Sequence, residues 1–281
     1  MGQDTRPLFE SHETLAFSLA ADFKNLFKDK GEEREYHPAV LSYFDEDRGD
    51  TIHMNVKLKV RGNFRRNKCQ LPPIRVNFDK DSTAGTIFAG QDKLKLVMPC
   101  GKNPERFDPL VVMEYLVYRS YNLLTDSSFR ARRVALTLRD ASGKFDQVAR
   151  ATFLIEPKEH MAERLGGREL EVQHIHPDKT QYDLVNLLSV FQFMVGNTDW
   201  SVPGLHNIVL VATEPGQPPL AIPYDFDWCG IVDAPYAFPN PQLGINSVRQ
   251  RVFRGFCRTP EEFEATFSRF RAQRQALLSL Y

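Results

Sequence analysis

Between residues 196 and 227 the chain reads GNTDWSVPGLHNIVLVATEPGQPPLAIPYDFD, and oxygen-bearing side chains recur in it at three separated points. Asp199 follows a long apolar helical pattern. Asn207 opens a β-branched run, NIVLV, and Asp225 and Asp227 close a second run, LAIPYDFD. A hairpin built from the two runs brings Asn207 and the two carboxylates to one end of the ribbon, and Asp199 reaches the same end from the preceding loop. Converging carboxylate and amide oxygens suit Mg²⁺, a hard cation that often works against substrate phosphates. Phosphoryl or nucleotidyl transfer is therefore the chemistry expected of this segment.

Those residues need elements to position them. The alternating runs VKLKVR (56–61), IRVNF (74–78) and KLKLV (93–97) predict strands, with a turn at Arg61-Gly62-Asn63. Asp108-Pro109 has the form of a helix start, Asp capping free N–H groups and Pro at the first helical position, followed by the apolar LVVMEYLVYRSYNLL. Glu114 is the only carboxylate of that stretch, and a buried charge there needs a partner. RVALTL (133–138) and QVARATFLI (147–155) predict a hairpin around residues 140–144. YDLVNLLSVFQFMV (182–195) places an apolar stripe on a helix, and Thr259-Pro260-Glu261-Glu262 is a capping box opening a last helix whose buried face carries Phe263, Phe267 and Phe270, then Leu277. Residues 14–27 have mixed periodicity and precede a charged loop, KDKGEERE. The expected division is thus 1–157, mostly strands with one helix, and 158–281, mostly helices around one hairpin.

Thirty-six basic residues balance thirty-six acidic ones, so no global field favours nucleic acid or an anionic membrane. The local clusters at 61–68 and 130–133 read as solvated faces. No apolar run is long enough for a membrane span. The first residues have no apolar signal-peptide core, which fits a cytoplasmic protein or a mature form whose signal is absent from this chain. None of the four cysteines forms a CxxC pair, arguing against zinc; Cys69 and Cys100 are either a disulfide of an exported protein or buried thiols. His174 and His176 alternate in QHIHPD as ligands would, but no third ligand stands at a recognisable spacing, so a polar loop is expected. His206 is expected to be a structural hydrogen-bonder, and Trp200 and Trp228 to pack around the site.

The order of a strand-rich segment carrying a lysine, a helix carrying a glutamate, then a loop and hairpin bearing Asp and Asn is that of protein kinases. Lys95 precedes Glu114 by 19 residues. More specifically, the chain resembles the CotH family of atypical protein-kinase-like proteins. The resemblance runs from roughly Val56 to Gly230 and rests on Arg61-Gly62-Asn63, Asn197-Thr198-Asp199 with His206-Asn207, and Pro223-Tyr224-Asp225-Phe226-Asp227 followed by Gly230. It implies a two-lobed kinase-like α+β fold with an antiparallel N-lobe sheet, one N-lobe helix and a mostly helical C-lobe. It implies Mg²⁺ and ATP as cofactors and a protein hydroxyl as acceptor. Asp199 would orient or deprotonate the acceptor. Asn207 and Asp225 would hold the metal, with Asp227 a second ligand or a hydrogen-bond partner within the loop. Lys95, or the alternating Lys93, would neutralise phosphate charge beside Glu114. The Arg61-Gly62-Asn63 turn would cover the phosphates, and the strand end at Glu156 would present backbone groups to adenine.

Other functions remain in view: nucleotidyl transfer or ATP-driven ligation on the same ligands, a catalytically inactive binding module such as an adhesin or scaffold, and a metal-dependent phosphoesterase. The last lacks the D-x-H element and the histidines that its chemistry needs.

Overall fold

The computed structural model describes residues 7–143 and 147–281, and the chain divides into two compact units. The first comprises the residues up to Val112 together with Ala131–Pro157; the second comprises Met113–Arg130 and Lys158–Tyr281.

Seven strands make the first unit: β1 (Leu15–Ala21), β2 (His37–Asp45), β3 (Asp50–Val60), β4 (Ile74–Phe78), β5 (Lys93–Val97), β6 (Ala131–Asp140) and β7 (Val148–Ile155). They close into a barrel in the order β1-β2-β3-β4-β5-β7-β6. All pairings are antiparallel except the one that closes the ring, where β1 runs parallel to β6 with Leu15 opposite Val134 and Ala21 opposite Asp140. Alternate residues fill the interior, among them Phe17 and Leu19 of β1, Leu41 and Tyr43 of β2, and Leu58 and Val60 of β3. Phe88, from the loop after β4, is fully buried and packs against Phe17, Tyr43 and Phe78.

The closed barrel overturns the expected kinase-like fold. The reason lies in β1 and β2. LAFSLAA offers small or apolar residues on both faces, and HPAVLSYFD starts beside a proline, so neither shows the clean apolar–polar alternation of β3. Their pairing with β6 and β3 removes the open edges that a kinase-like sheet would have.

Three helices accompany the barrel strands in sequence: α1 (Phe23–Lys28), α2 (Phe64–Lys68) and α3 (Pro104–Leu124). α3 starts before the expected Asp108, its first turn capped by Asn103, whose side chain accepts from the Arg106 N–H. Pro109 lies inside the helix. Asp108 does different work: its carboxylate takes the Arg150 guanidinium and the Ala151 N–H (2.7 Å), binding α3 to β7. Arg150 is itself buried, which makes this a desolvated, hydrogen-bonded pair rather than a surface bridge. The basic clusters are solvated only in part: Lys68 and Arg133 are exposed, but three of the arginines are not. Arg65 bonds the Met98 carbonyl, Arg66 pairs with Glu32 at 3.0 Å, and Arg132 donates to the carbonyls of Leu8 and Ser11; all three arginines are buried. Cys69 and Cys100 form a disulfide that ties the end of α2 to the chain beyond β5. The β6–β7 hairpin forms as the alternation predicts; Lys144 of its turn lies outside the described residues.

In the second unit, β8 (Arg168–Leu170), β9 (Ile208–Ala212) and β10 (Leu220–Pro223) form a small antiparallel sheet with β9 central. α4 (Lys158–Arg164), α5 (Tyr182–Val195), α6 (Pro260–Ala272) and α7 (Arg274–Leu278) complete its regular structure. Helix is the minority state there, because residues 224–259 run almost entirely without regular elements, contrary to the expected helical C-lobe. Val185 and Leu188 of α5 pack with Trp200, Ile208, Leu210 and Ala221 in one apolar cluster. α6 has its capping box, Thr259 and Glu262 each accepting the other's backbone N–H. Its phenylalanines are not a buried face: Phe267 is 41% exposed, and Phe263 and Phe267 stack on each other at 5.8 Å. Among the described residues no helix is long and apolar enough to cross a membrane.

Candidate functional site

α5 ends where its sequence requires. Gly196 takes a left-handed φ of +69° as the helix cap, and the Asn197 N–H returns to the Gln192 carbonyl. The chain then turns through Asn197, whose side-chain oxygen accepts from the Asp199 N–H at 2.9 Å. Arg254 grips the same turn from the other side, its guanidinium donating to the carbonyls of Thr198 and Trp200, the two residues flanking Asp199. Burial lowers the Arg254 pKa and the nearby Asp199 charge opposes that shift. The backbone of Asp199 is therefore fixed before its carboxylate is considered.

The carboxylate is fixed as well. His206 Nε2 lies 2.8 Å from Asp199 Oδ1, and Asn207 Nδ2 donates to Asp199 Oδ2 at 2.9 Å and to its carbonyl at 2.8 Å. Because both contacts of Asn207 Nδ2 are to acceptors, the amide orientation is defined, and Oδ1 is the atom directed away from Asp199. Asn207 stands one residue before β9 and its carbonyl accepts the Tyr224 N–H, one residue after β10. The register Ile208 opposite Pro223 therefore brings Asn207 and Asp225 to the same end of the hairpin.

Both residues have positive φ, +53° at Asn207 and +63° at Asp225. Left-handed backbone is costly for residues other than glycine, although Asn and Asp tolerate it best. Two such residues at one hairpin end mark a constrained site rather than a relaxed turn. The Asp225 N–H is satisfied by the Tyr118 hydroxyl of α3 at 2.8 Å, and among the described residues no hydrogen bond or ion pair engages its carboxylate. Phe226 anchors the loop beneath it, fully buried with its ring edge-on to Tyr118 (4.8 Å) and Phe191 (5.9 Å). Asp227 is buried and accepts from the Tyr236 hydroxyl at 3.0 Å, a hydrogen-bond role within the loop.

A backbone contact that sequence reasoning missed joins the two loops. The Gly230 N–H donates to the Gly196 carbonyl and the Ile231 N–H to the Val195 carbonyl. A Cβ at Gly230 would stand 2.4 Å from the Val248 carbonyl oxygen, so only glycine fits. The signal was present as the glycine closely following the D-x-D element. Arg254 had no such signal, lying far along the chain in an irregular stretch.

The remaining candidates are distributed between the units. Glu114 belongs to the second, on the buried part of α3. Its charge and that of Asp227 add to burial in pushing the Cys229 thiol up to about 12. The first unit carries the rest. Gly62 has φ +85° between β3 and α2, and the Arg61 N–H bonds the Pro73 carbonyl; Asn63 precedes α2 without a side-chain capping bond. On β5 the two lysines alternate outward between the buried Leu94 and Leu96. Lys93 takes an exposed position against Asp92 (3.4 Å), whereas Lys95 is half-buried. Glu156 follows β7 and is buried.

His174 and His176 are in a loop, not a strand, and His176 accepts from the Asp178 N–H. Among the described residues no three His, Cys, Asp or Glu side chains gather as a metal cluster; the candidate donors are Asp225 with the amide oxygen of Asn207.

Beside Asp199 lies a cavity of about 460 Å³ within the second unit, lined by Asp199, Trp200, Ser201, His206, Trp228 and Phe238 among others. Trp228 and Phe238 pack at 4.6 Å between ring centres. Comparison with models of known protein families and with curated proteins returns no match to this chain.

Proposed function

We propose that the chain is a Mg²⁺/ATP-dependent phosphotransferase acting on a hydroxyl group, as its resemblance to the CotH family implies. The observation that carries the reading is the hairpin end. Asn207 and Asp225, both held in left-handed backbone, stand at one hairpin end, and Asn207 with His206 engages both carboxylate oxygens of Asp199. The proposal rests on that resemblance and on this site, and the fold carries no weight in it, since a fold alone does not imply an activity.

The donor chemistry fits the cation. Asp225 offers a carboxylate and Asn207 an amide oxygen, the hard ligands that Mg²⁺ takes, usually together with water and substrate phosphate. Bound there, Mg·ATP would supply the transferable γ-phosphoryl group and neutralise its charge. The chain's own residues would position. Asp199, locked by His206, Asn207 and the Asn197 amide, would hold the acceptor hydroxyl and take its proton. The Cys69–Cys100 disulfide supports an oxidising compartment.

Thermal unfolding with and without Mg²⁺ and ATP tests the reading. A ligand that binds only the folded chain raises its midpoint. The expected result is a Mg²⁺-dependent rise with ATP that Asp225→Ala abolishes. Asp199→Ala should keep the rise and lose turnover. No Mg²⁺-dependent rise in the parent chain would instead favour a non-catalytic binding module.

A further inference from the structure

We propose that the cavity beside Asp199 is an acceptor subsite selecting an aromatic hydroxyl, a phenol rather than an aliphatic alcohol. The inference rests on the phosphotransferase reading for the role of Asp199, and on the cavity itself for the ring.

The cavity's position comes first. It is lined by Thr198, Asp199 and His206, whereas Asn207 and Asp225, the candidate cation ligands, are not among its lining residues. The cavity thus reaches Asp199 through residues other than the candidate cation ligands. Its volume of about 460 Å³ is in the range of small-molecule sites and well beyond what a single methylene-hydroxyl side chain fills.

Its walls supply the ring preference. Trp228 and Phe238 present aromatic surface, with Trp200 buried behind the lining, and ring pairs prefer tilted or edge contacts of the kind Trp228 and Phe238 already make. Phe238 is 56% exposed, a large apolar side chain held at the surface beside the cavity. The polar groups supply the hydroxyl preference. The Asp199 carboxylate with its His206 partner forms one edge of the lining. A phenol meets the carboxylate and the aromatic walls together: its O–H donates to Asp199 and its ring packs against Trp228 and Phe238. A phenyl ring forgoes the added hydrogen bond to the carboxylate, and an aliphatic alcohol leaves the aromatic walls without a ring.

The step balances simply. A bond forms between the phenolic oxygen and the γ-phosphorus, the bond from that phosphorus to the β–γ bridging oxygen breaks, ADP leaves, and the phenolic proton passes to Asp199. The products are an aryl phosphate and ADP. A tyrosine side chain and a free phenolic metabolite share this chemistry, and the test separates them.

Trp200 and Trp228 are the only two tryptophans of the chain, and both line the cavity, so indole fluorescence reports on this site. The full chain is titrated, without nucleotide, with N-acetyltyrosinamide, tyramine, N-acetylphenylalaninamide, N-acetylserinamide and adenosine. The expected result is a saturable change with the phenols, binding about tenfold weaker for the phenylalanine compound, and none with the serine compound. Phe238→Ala should weaken phenol binding about five- to tenfold; its exposure makes it a substitution the fold tolerates. Stronger binding of N-acetyltyrosinamide than of tyramine identifies a peptide tyrosine as the source, and the reverse order a free phenol. Equal responses to serine and tyrosine compounds, or a response to adenosine alone, overturn the proposal. Failure of the phosphotransferase reading looks different. Phenol-selective fluorescence without Mg·ATP turnover keeps the aromatic subsite and removes its chemistry, whereas turnover without phenol selectivity removes the subsite alone.

Discussion

Asn207 is the residue whose replacement separates the local energetics of the site from its proposed chemistry. Its Nδ2 makes two hydrogen bonds to Asp199, one to the carboxylate and one to the carbonyl. A bond to a charged group contributes about 1.5–3 kcal/mol and a neutral one about 0.5–1.5 kcal/mol. With the site half-exposed, losing both in Asn207→Gly should cost about 2–3 kcal/mol. Asn207→Ala loses the same bonds and adds the cost of left-handed backbone at φ +53°, about 1 kcal/mol more. Asn207→Asp is the informative third variant. It replaces the donor by an oxygen at the same 2.9 Å from Asp199 Oδ2, and like charges that close repel by about 6 kcal/mol at an effective dielectric of 20 before the side chains move apart. A cation shared with the added carboxylate relieves that repulsion, so Mg²⁺ should stabilise Asn207→Asp more than the parent. The assay is urea unfolding with and without Mg²⁺, reading the midpoint at constant slope. An Asn207→Gly chain within about 0.5 kcal/mol of the parent refutes the claim that this amide holds Asp199. An Asn207→Asp chain indifferent to Mg²⁺ refutes the cation assignment.

Further expectations follow from other contacts. Gly230→Ala drives a methyl group to 2.4 Å from the Val248 carbonyl oxygen, so it should cost at least about 1–3 kcal/mol in urea unfolding and weaken Mg·ATP binding, because the glycine couples both loops. Cys69 and Cys100 are 31 residues apart, and a loop of that size constrains the unfolded chain by about 3–4 kcal/mol; the Cys69→Ser/Cys100→Ser double variant should lose about that much, matching the loss on reduction of the parent. Cys229 has a raised folded pKa of about 12, owing first to burial and then to the charges of Glu114 and Asp227. Its contribution to stability is complete below the ordinary thiol range of about 8.5 and declines as the pH rises from there towards the folded value. Cys229→Ala should flatten the loss of stability between about pH 9 and pH 11 relative to the parent.

The site was more legible in the sequence than the fold was. The β-branched run after Asn207 and the apolar run before Asp225, divided by a Pro/Gly-rich turn, are enough to define a hairpin, and a hairpin's register puts its two flanking residues together whatever surrounds it. β3, β4 and β5 announce themselves in the same way. The barrel was not legible because closure is a non-local event. It depends on β1 pairing parallel with β6 across more than a hundred residues, and LAFSLAA carries no periodicity that declares it. Asp108-Pro109 misled for a related reason: the local form of a helix start was real, but Arg150 claimed the carboxylate and Asn103 supplied the cap. Arg65, Arg66 and Arg132 of the basic clusters likewise look solvated in one dimension and are buried against distant partners in three, whereas Arg133 is exposed as expected. At Phe263 and Phe267 the helical spacing was right and full burial was not, since the helix turns those rings to a half-exposed aromatic ridge with Phe253.

Transfer of label from γ-labelled ATP tests the central claim most directly. The parent chain is compared with Asp199→Ala and Asp225→Ala, each with Mg²⁺ and with chelator, and phosphate on the acceptor is read by mass. The account predicts Mg²⁺-dependent transfer by the parent alone, with nucleotide still bound by Asp199→Ala and lost from Asp225→Ala. Transfer that survives Asp225→Ala, or a parent chain that neither binds Mg·ATP nor transfers its phosphate, would contradict it.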